Sequence, residues 1–211
     1  GNGSFDWKTG AGGMKASLTM ADLSVLQSLA AVPLTGALVL NADTTLEDFG
    51  ATASAALQGR AENFSTGVAV ADGVLAREAE LTGTISLADD KLAAEKVSLR
   101  SGRATIAADA SLNLASDAVG GSLKAGIDAG DPISLADALS LHCACDLNGT
   151  VGGTLTAMTV KGALSAVSVR QAEAAFEAIK VGFDLGKLPD TPEGSVTLSA
   201  RSPVGDLSAR T

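Results

Sequence analysis

"RATIAADASLNL", residues Arg103 to Leu114, decides how this chain is read. From Ala104 onward every second residue is apolar: Ala104, Ile106, Ala108, Ala110, Leu112 and Leu114. Between them stand Thr105, Asp109, Ser111 and Asn113, with Ala107 neutral to the pattern. A β-strand sends successive side chains to opposite faces, so the stretch has one dry face and one wet face. The dry face is long and made mostly of small residues.

The same alternation recurs along the chain. "MKASLTM" puts Met14, Ala16, Leu18 and Met20 together, and "GALVLNA" does so for Gly36, Leu38, Leu40 and Ala42. "GATASAALQ" gives Ala51, Ala53, Ala55 and Leu57, "ELTGTISL" gives Leu81, Ile85 and Leu87, and "LAAEKVSLR" gives Ala93, Val97 and Leu99. Further on, Val119, Leu123 and Ile127 share a face, as do Leu141, Cys143, Cys145 and Leu147, and Val196, Leu198 and Ala200. Gly, Asp and Asn mark the breaks at "TGAGG", "LADDKL", "ASDAVGG" and "LNGTVGG". Many short strands with one wet face, joined by tight turns, predict an all-β antiparallel meander rather than a parallel α/β sheet.

Composition says what kind of wall those strands build. The chain has 211 residues, enough for a real core, and 46% are hydrophobic, yet aromatics make up only 3% and tyrosine is absent. Low, alanine-rich apolar surface suits a thin extended wall better than a thick globular core. The net charge of −9 and scattered cations argue against nucleic acid. Lys91, Lys96, Arg100 and Arg103 form the densest basic group, and Glu95 interrupts it. No run of about 18 apolar residues predicts a membrane-spanning helix. The chain opens "GNGSFDW" without a signal peptide or initiator methionine and stops at "DLSART", which reads as an internal piece of a longer protein.

Three segments leave the rhythm. "DLSVLQSLAAVP" places Leu23, Leu26 and Leu29 at helical spacing, with Asp22 as N-cap and Pro33 past the end. "VAVADGVLARE" fits a helical turn weakened by Gly73. In "RQAEAAFEAIKVGFDL" the residues from Ile179 alternate as a strand, with Val181, Phe183 and Leu185, while Gln171 to Ala178 fit either state. "DLSVLQSL" also echoes "PISLADAL", so units starting near residue 22 and residue 132 are expected within one elongated domain spanning 1–211.

No constellation predicts catalysis or a cofactor. His142 is the only histidine and sits on the wet side of its pattern, and no G-x-S-x-G elbow is present. Cys143 and Cys145 do not match zinc-finger spacing, and two strand positions one residue apart have Cα atoms about 6.5 Å apart, near the upper limit for a disulfide. Two readings stay open for them: small wall residues, or a strained redox pair. "GIDAGD" is a turn lacking the repeated calcium nonapeptide. "TGAGGMK" lacks the phosphate-loop spacing. The chain is therefore read as a non-enzyme with no metal or cofactor.

"MADLSVLQSLAAVPLTGALVLNADTTLEDFGATASAALQGR" resembles the translocation and assembly proteins of the TamB type, within the wider AsmA-like group. There a "DLSxL" helix leads into an "LxGxLxLxA" strand. The likeness continues through residues 66–114 and resumes in the run from Val151 to Arg201. It departs at Ala157-Met158, where the family often carries proline. The resemblance implies a long periplasmic β-structure curled into an open, taco-like groove with short helices, in a protein anchored in the bacterial inner membrane. It further implies phospholipid transfer between the two membranes, support of outer-membrane protein assembly, and a TamA-type outer-membrane barrel as partner.

On that reading the groove-lining candidates are Leu38, Leu40, Leu81, Ile85, Leu87, Val97, Leu99, Ala104, Ile106, Ala108, Ala110, Leu112, Leu123, Ile127, Leu141, Cys143, Cys145, Leu147, Val181, Phe183, Val196 and Leu198. Their occupant would be phospholipid acyl chains, and open strand edges would offer pairing to unfolded outer-membrane strands. An extracellular structural or adhesive β-solenoid without lipid cargo is the alternative, and it would show a short fixed repeat. A compact β-sandwich enzyme or ligand-binding domain is a third, and it would show more aromatics and a convergent polar site.

Overall fold

The computed structural model describes residues 1–26, 33–68, 72, 78–128, 133–136, 139–171, 174–189, 191–202 and 205–210, with side chains at all of these except 26, 133–136, 139–143, 169–171 and 174–175. Among these residues fourteen strands form: β1 Asn2–Asp6, β2 Ala11–Met20, β3 Thr35–Glu47, β4 Thr52–Ser65, β5 Glu78–Ala88, β6 Lys91–Ser101 and β7 Ala104–Asn113. They continue as β8 Ala118–Ile127, β9 Ile133–Ala136, β10 Leu139–Thr154, β11 Ala157–Gln171, β12 Ala174–Leu188, β13 Glu193–Ser202 and β14 Gly205–Arg210. All belong to one antiparallel sheet in which each strand pairs with its neighbours in sequence, except that β8 pairs β10 and β9 lies off the path against β10. The sheet does not close, since β1 and β14 form its two ends. The all-β meander expected from the alternation is what the chain builds.

No second layer covers it among the described residues. Among the described residues the buried apolar side chains are Leu23, Ala61, Ala93 and Ala104 alone. The accessible surface is 13184 Å² for a 20.8 kDa chain. A compact monomer of that mass would expose about 9,000 Å². Among the described residues there is thus no sandwich interior plugged by leucine and valine.

Bulges recur and curl the sheet. Where β3 spends two residues between Thr35 and Ala37, β4 spends three, with Asn63 at φ 51°. β6 does the same against β5 between Glu95 and Ser98, with Lys96 at φ 52°, and β12 does so against β13 at Ala178, φ 50°. Each extra residue bends its strand and adds twist. At Lys96 the bulge is tied down: its backbone N–H donates to Asp109 Oδ1 at 2.8 Å.

The bulges also correct the sequence reading. In β6 the dry face runs Leu92, Ala94, then Val97 and Leu99, so Ala93 belongs to the opposite face, paired with Ser86 and Ser111. In β10 a bulge between His142 and Cys145 breaks the expected alternation: Leu141 pairs with Val169, whereas Cys145 pairs with Ala166. Val169 and Ala166 lie three residues apart on unbulged β11, so Leu141 is out of register with the Cys145–Leu147 face. "LNGTVGG" is not a break, because β10 runs through it for 16 residues. Leu114 falls past the end of β7 in a turn. Residues 174–178, which fitted either state, are strand.

Of the expected first helix, the described part is a 3-10 turn at Leu23–Leu26, and Asp22 Oδ1 accepts the Ser24 N–H at 2.8 Å as an N-cap residue should. Its echo at 133–136 is a strand, so the two segments do not share a local structure. A second 3-10 turn occupies Asp48–Gly50. Most of "VAVADGVLARE" lies outside the described residues, although the Asp72 N–H donates to the Val68 carbonyl at 2.9 Å in helical fashion. No described helix is long and apolar enough to cross a membrane.

Candidate functional site: one apolar face across the sheet

Residues paired across neighbouring strands share a face, so the register can be followed from strand to strand. One row reads Leu18, Leu40, Gly59, Leu81, Leu99, Ile106, Ala125, Leu147, Leu164, Val181, Leu198 and Ala209. It crosses from β2 to β14 without a polar residue. The row beside it carries Ala108, Leu123, Gly149, Gly162, Phe183 and Val196. Another carries Ala55, Ile85, Ala94, Ala110, Gly121, Val151, Val160 and Leu185.

The opposite face is polar in the same continuous way. Its central row is Thr19, Val39, Arg60, Glu80, Arg100, Thr105, Gly126, Asp146, Ser165, Lys180, Ser199 and Ser208. Two of its ion pairs, Lys15–Asp43 at 3.1 Å and Lys161–Asp184 at 3.0 Å, join register partners on adjacent strands. The sheet is therefore amphipathic as a whole, not strand by strand.

The structure brings nearly all of the sequence-derived lining candidates onto the apolar face. Leu38, Leu40, Leu81, Ile85, Leu87, Val97 and Leu99 lie there from β3 to β6. Ala104, Ile106, Ala108, Ala110, Leu112, Leu123 and Ile127 follow on β7 and β8. Cys145, Leu147, Val181, Phe183, Val196 and Leu198 complete it. Leu141 is displaced by the β10 bulge, and the side chains of Leu141, His142 and Cys143 lie outside those described. Cys145 is disulfide-bonded while standing on this face beside Ile127.

Three glycines on this face are overlaid rather than left as gaps. A Cβ at Gly162 would come within 2.5 Å of the Phe183 ring, one at Gly12 within 2.7 Å of Phe5, and one at Gly83 within 3.1 Å of Val97. The larger neighbour leans across each glycine and evens the surface. Sequence alternation alone does not reveal this, because it needs the cross-strand register.

Two kinds of hollow result. On the apolar face a hollow of about 340 Å³ is lined by Leu38, Leu40, Ala61, Phe64, Leu81 and Leu99 with almost no polar surface. On the polar face a hollow of about 740 Å³ crosses β10 to β14, lined among others by Asp146, Asn148, Ser165, Lys180, Thr197 and Arg210. A twisted sheet is saddle-shaped, so each face is hollow along one diagonal. The larger hollow lies opposite the face that the sequence singles out, and nothing in the alternation points to it.

No group of three or more His, Cys, Asp or Glu side chains able to hold a metal occurs among the described residues. The most heavily bonded carboxylate is Asp72, which accepts from the Thr66 N–H at 2.6 Å, Thr66 Oγ1 at 2.8 Å and Ser65 Oγ at 2.7 Å. The Thr66 backbone bond, then the two hydroxyls, hold it below the usual carboxylate range. These contacts close a loop and present no free coordination. No family model, curated protein or solved structure matches the chain.

Proposed function

We propose that the apolar face is a sliding surface for phospholipid acyl chains, in a periplasmic TamB-like protein held to the inner membrane. In this role it supports lipid passage between inner and outer membranes and the assembly of outer-membrane proteins, with a TamA-type barrel as partner. The observation that carries the reading is the unbroken apolar row from Leu18 to Ala209, on a sheet that no second layer covers among the described residues. Each acyl methylene moved from water onto such a surface is stabilised by up to about 0.8 kcal/mol. A row without a polar interruption gives a chain no barrier larger than the next side chain. Alanines and overlaid glycines keep it shallow. The function needs no bond-making residue and no cofactor.

The adhesive solenoid gains nothing from this geometry. Antiparallel hairpins do not stack as coils, and an interior filled by stacked side chains is missing among the described residues.

Photoreactive side chains test the proposal with adjacent residues as controls. Placed at Ile106, Leu123 and Leu198 in cells, they should trap phospholipid, identified by mass spectrometry after extraction. Placed at Ala107, Lys124 and Thr197, one residue away and on the other face, they should trap none. Equal labelling of both sets, or labelling of the second set alone, refutes the sliding surface.

A further inference from the structure

The chain has one tryptophan, five phenylalanines and no tyrosine, and three of those rings meet at one exposed corner. Phe5 lies on β1, Trp7 in the turn to β2, and Phe49 in the 3-10 turn between β3 and β4. The Phe5 and Trp7 ring centroids are 4.8 Å apart at 77°, and those of Phe5 and Phe49 are 6.4 Å apart at 64°. Both are edge-to-face contacts, the attractive arrangement of aromatic quadrupoles.

The corner is built, not loose. The Phe49 N–H donates to the Gly10 carbonyl at 3.0 Å. Gly10 has φ +66°, and a Cβ there would come within 2.5 Å of the Phe49 nitrogen and 2.6 Å of its ring. Only glycine lets the two turns close in this way. Yet the rings face solvent: Trp7 is 81% exposed, Phe49 67% and Phe5 40%. Phe5 pairs with Gly12, whose row continues through Leu46 and Ala53, so the corner is continuous with the apolar face.

We infer that this corner inserts into the headgroup region of an electrically neutral phospholipid bilayer. Tryptophan is enriched at membrane–water interfaces because its ring is apolar while its N–H stays wet. The surrounding charges are Asp6, Lys8, Glu47 and Asp48, an acidic excess that repels an anionic leaflet. A protein partner fits less well. The three rings expose on the order of 400 Å², against about 800 Å² per side in a stable interface. They also project from turns instead of lining a socket. The inference does not need the trough to carry lipid.

Trp7 is the sole tryptophan, so intrinsic fluorescence reads the corner directly. Titration of the whole chain with phosphatidylcholine vesicles should shift its emission to the blue, and brominated phosphatidylcholine should quench it. Phe49→Ser should weaken that binding at least about fivefold through the lost apolar insertion, with the β-sheet circular dichroism unchanged. Phe5→Leu serves as the second variant should Phe49→Ser disturb the turns, and it should weaken binding less. Val25→Ser, exposed at the other strand ends, should leave it unaltered. Unchanged emission with vesicles, binding only to phosphatidylglycerol vesicles, or a concentration-dependent shift without vesicles would each overturn the inference. The last would instead assign the corner to contacts between copies of the chain.

Discussion

The hollow on β3–β6 and the hollow on β10–β14 are made by the same sheet and differ in nearly everything else. The first is about 340 Å³ and walled by Leu38, Leu40, Phe64, Leu81 and Leu99. The second is about 740 Å³ and bordered by Asp146, Lys180 and Arg210. Period-two alternation decides the chemistry of a face, whereas twist and bulges decide where that face is hollow. Size therefore says little about what a hollow can hold. Apolar atoms make up most of the larger hollow's wall, but hydrocarbon seated there would lie against Asp146, Lys180 and Arg210, whose partial desolvation opposes the gain from shielding methylenes. The smaller hollow suits an acyl chain.

The sharpest way to break this comparison is to move a charge. Leu81→Asp puts a carboxylate in the apolar hollow. It should lower affinity for a neutral apolar fluorophore such as N-phenyl-1-naphthylamine by at least about tenfold, since the carboxylate must be desolvated or protonated. Lys180→Asp in the polar hollow should change it by less than about twofold, measured in the same titration. If Lys180→Asp proves the more damaging, the polar hollow holds the probe and the preference argued above is wrong.

Glycine packing gives the next effect. Gly149 and Gly162 are register partners on β10 and β11. A Cβ at Gly162 would meet the Asn148 carbonyl and the Phe183 ring, each at 2.5 Å, while one at Gly149 would meet only the Lys161 carbonyl at 3.5 Å. Gly162→Ala should cost about 1–3 kcal/mol in urea unfolding through overpacking. Gly149→Ala should be neutral or gain up to about 1 kcal/mol by restricting the unfolded chain. Equal losses at the two sites would mean that Phe183 does not lean over its neighbour as described.

How far the sequence could lead is visible in three strands. β7 was legible throughout, because Ala104 to Leu112 pair with β6 and β8 without an extra residue on β7 itself. β6 was legible only in part: the insertion at Lys96 exchanges the faces, and Ala93 looks in phase with Val97 and Leu99 in the sequence when it is not. In β10, Gly149, Gly152 and Gly153 signal a turn by composition, yet they continue a strand. Pairing with β8 and β11 holds these glycines in the sheet, a cross-strand fact with no local trace. The aromatic corner was hidden for the same reason, since Phe5 and Phe49 are far apart in sequence and meet only through the β1–β2–β3 register. The apolar face survived these errors because each bulge shifts its strand back into phase with the neighbours.

Ion pairs on the polar face mark the lower end of the scale. Lys161 and Asp184 lie 3.0 Å apart, with side chains 61% and 56% exposed. Water screens such a pair, so Lys161→Ala should cost no more than about 1 kcal/mol, and added salt should shrink the difference further. A larger, salt-insensitive loss would show that this region of the polar face is drier than its exposure indicates.

The smallest effect belongs to the Asp72 loop and is one of pH. Backbone and hydroxyl hydrogen bonds from Thr66 and Ser65 hold the Asp72 carboxyl below its ordinary value of 3.8. A group whose folded pKa is depressed contributes stability that is present above its unfolded pKa and lost as pH falls through the folded one. The loop should therefore keep its closure through neutral and mildly acidic solution, and loosen only once the pH drops below the normal carboxylate range. Hydrogen exchange of the Thr66 and Val68 amides reads this, after correction for the intrinsic pH dependence of exchange. Asp72→Asn should remove the acid step and speed exchange of the Thr66 amide at neutral pH, because an amide oxygen accepts more weakly than a carboxylate. The sheet itself should not respond beyond Ser65 at the end of β4, as no backbone hydrogen bond between strands involves Asp72. An acid transition that survives in Asp72→Asn would place the titrating group elsewhere in the loop.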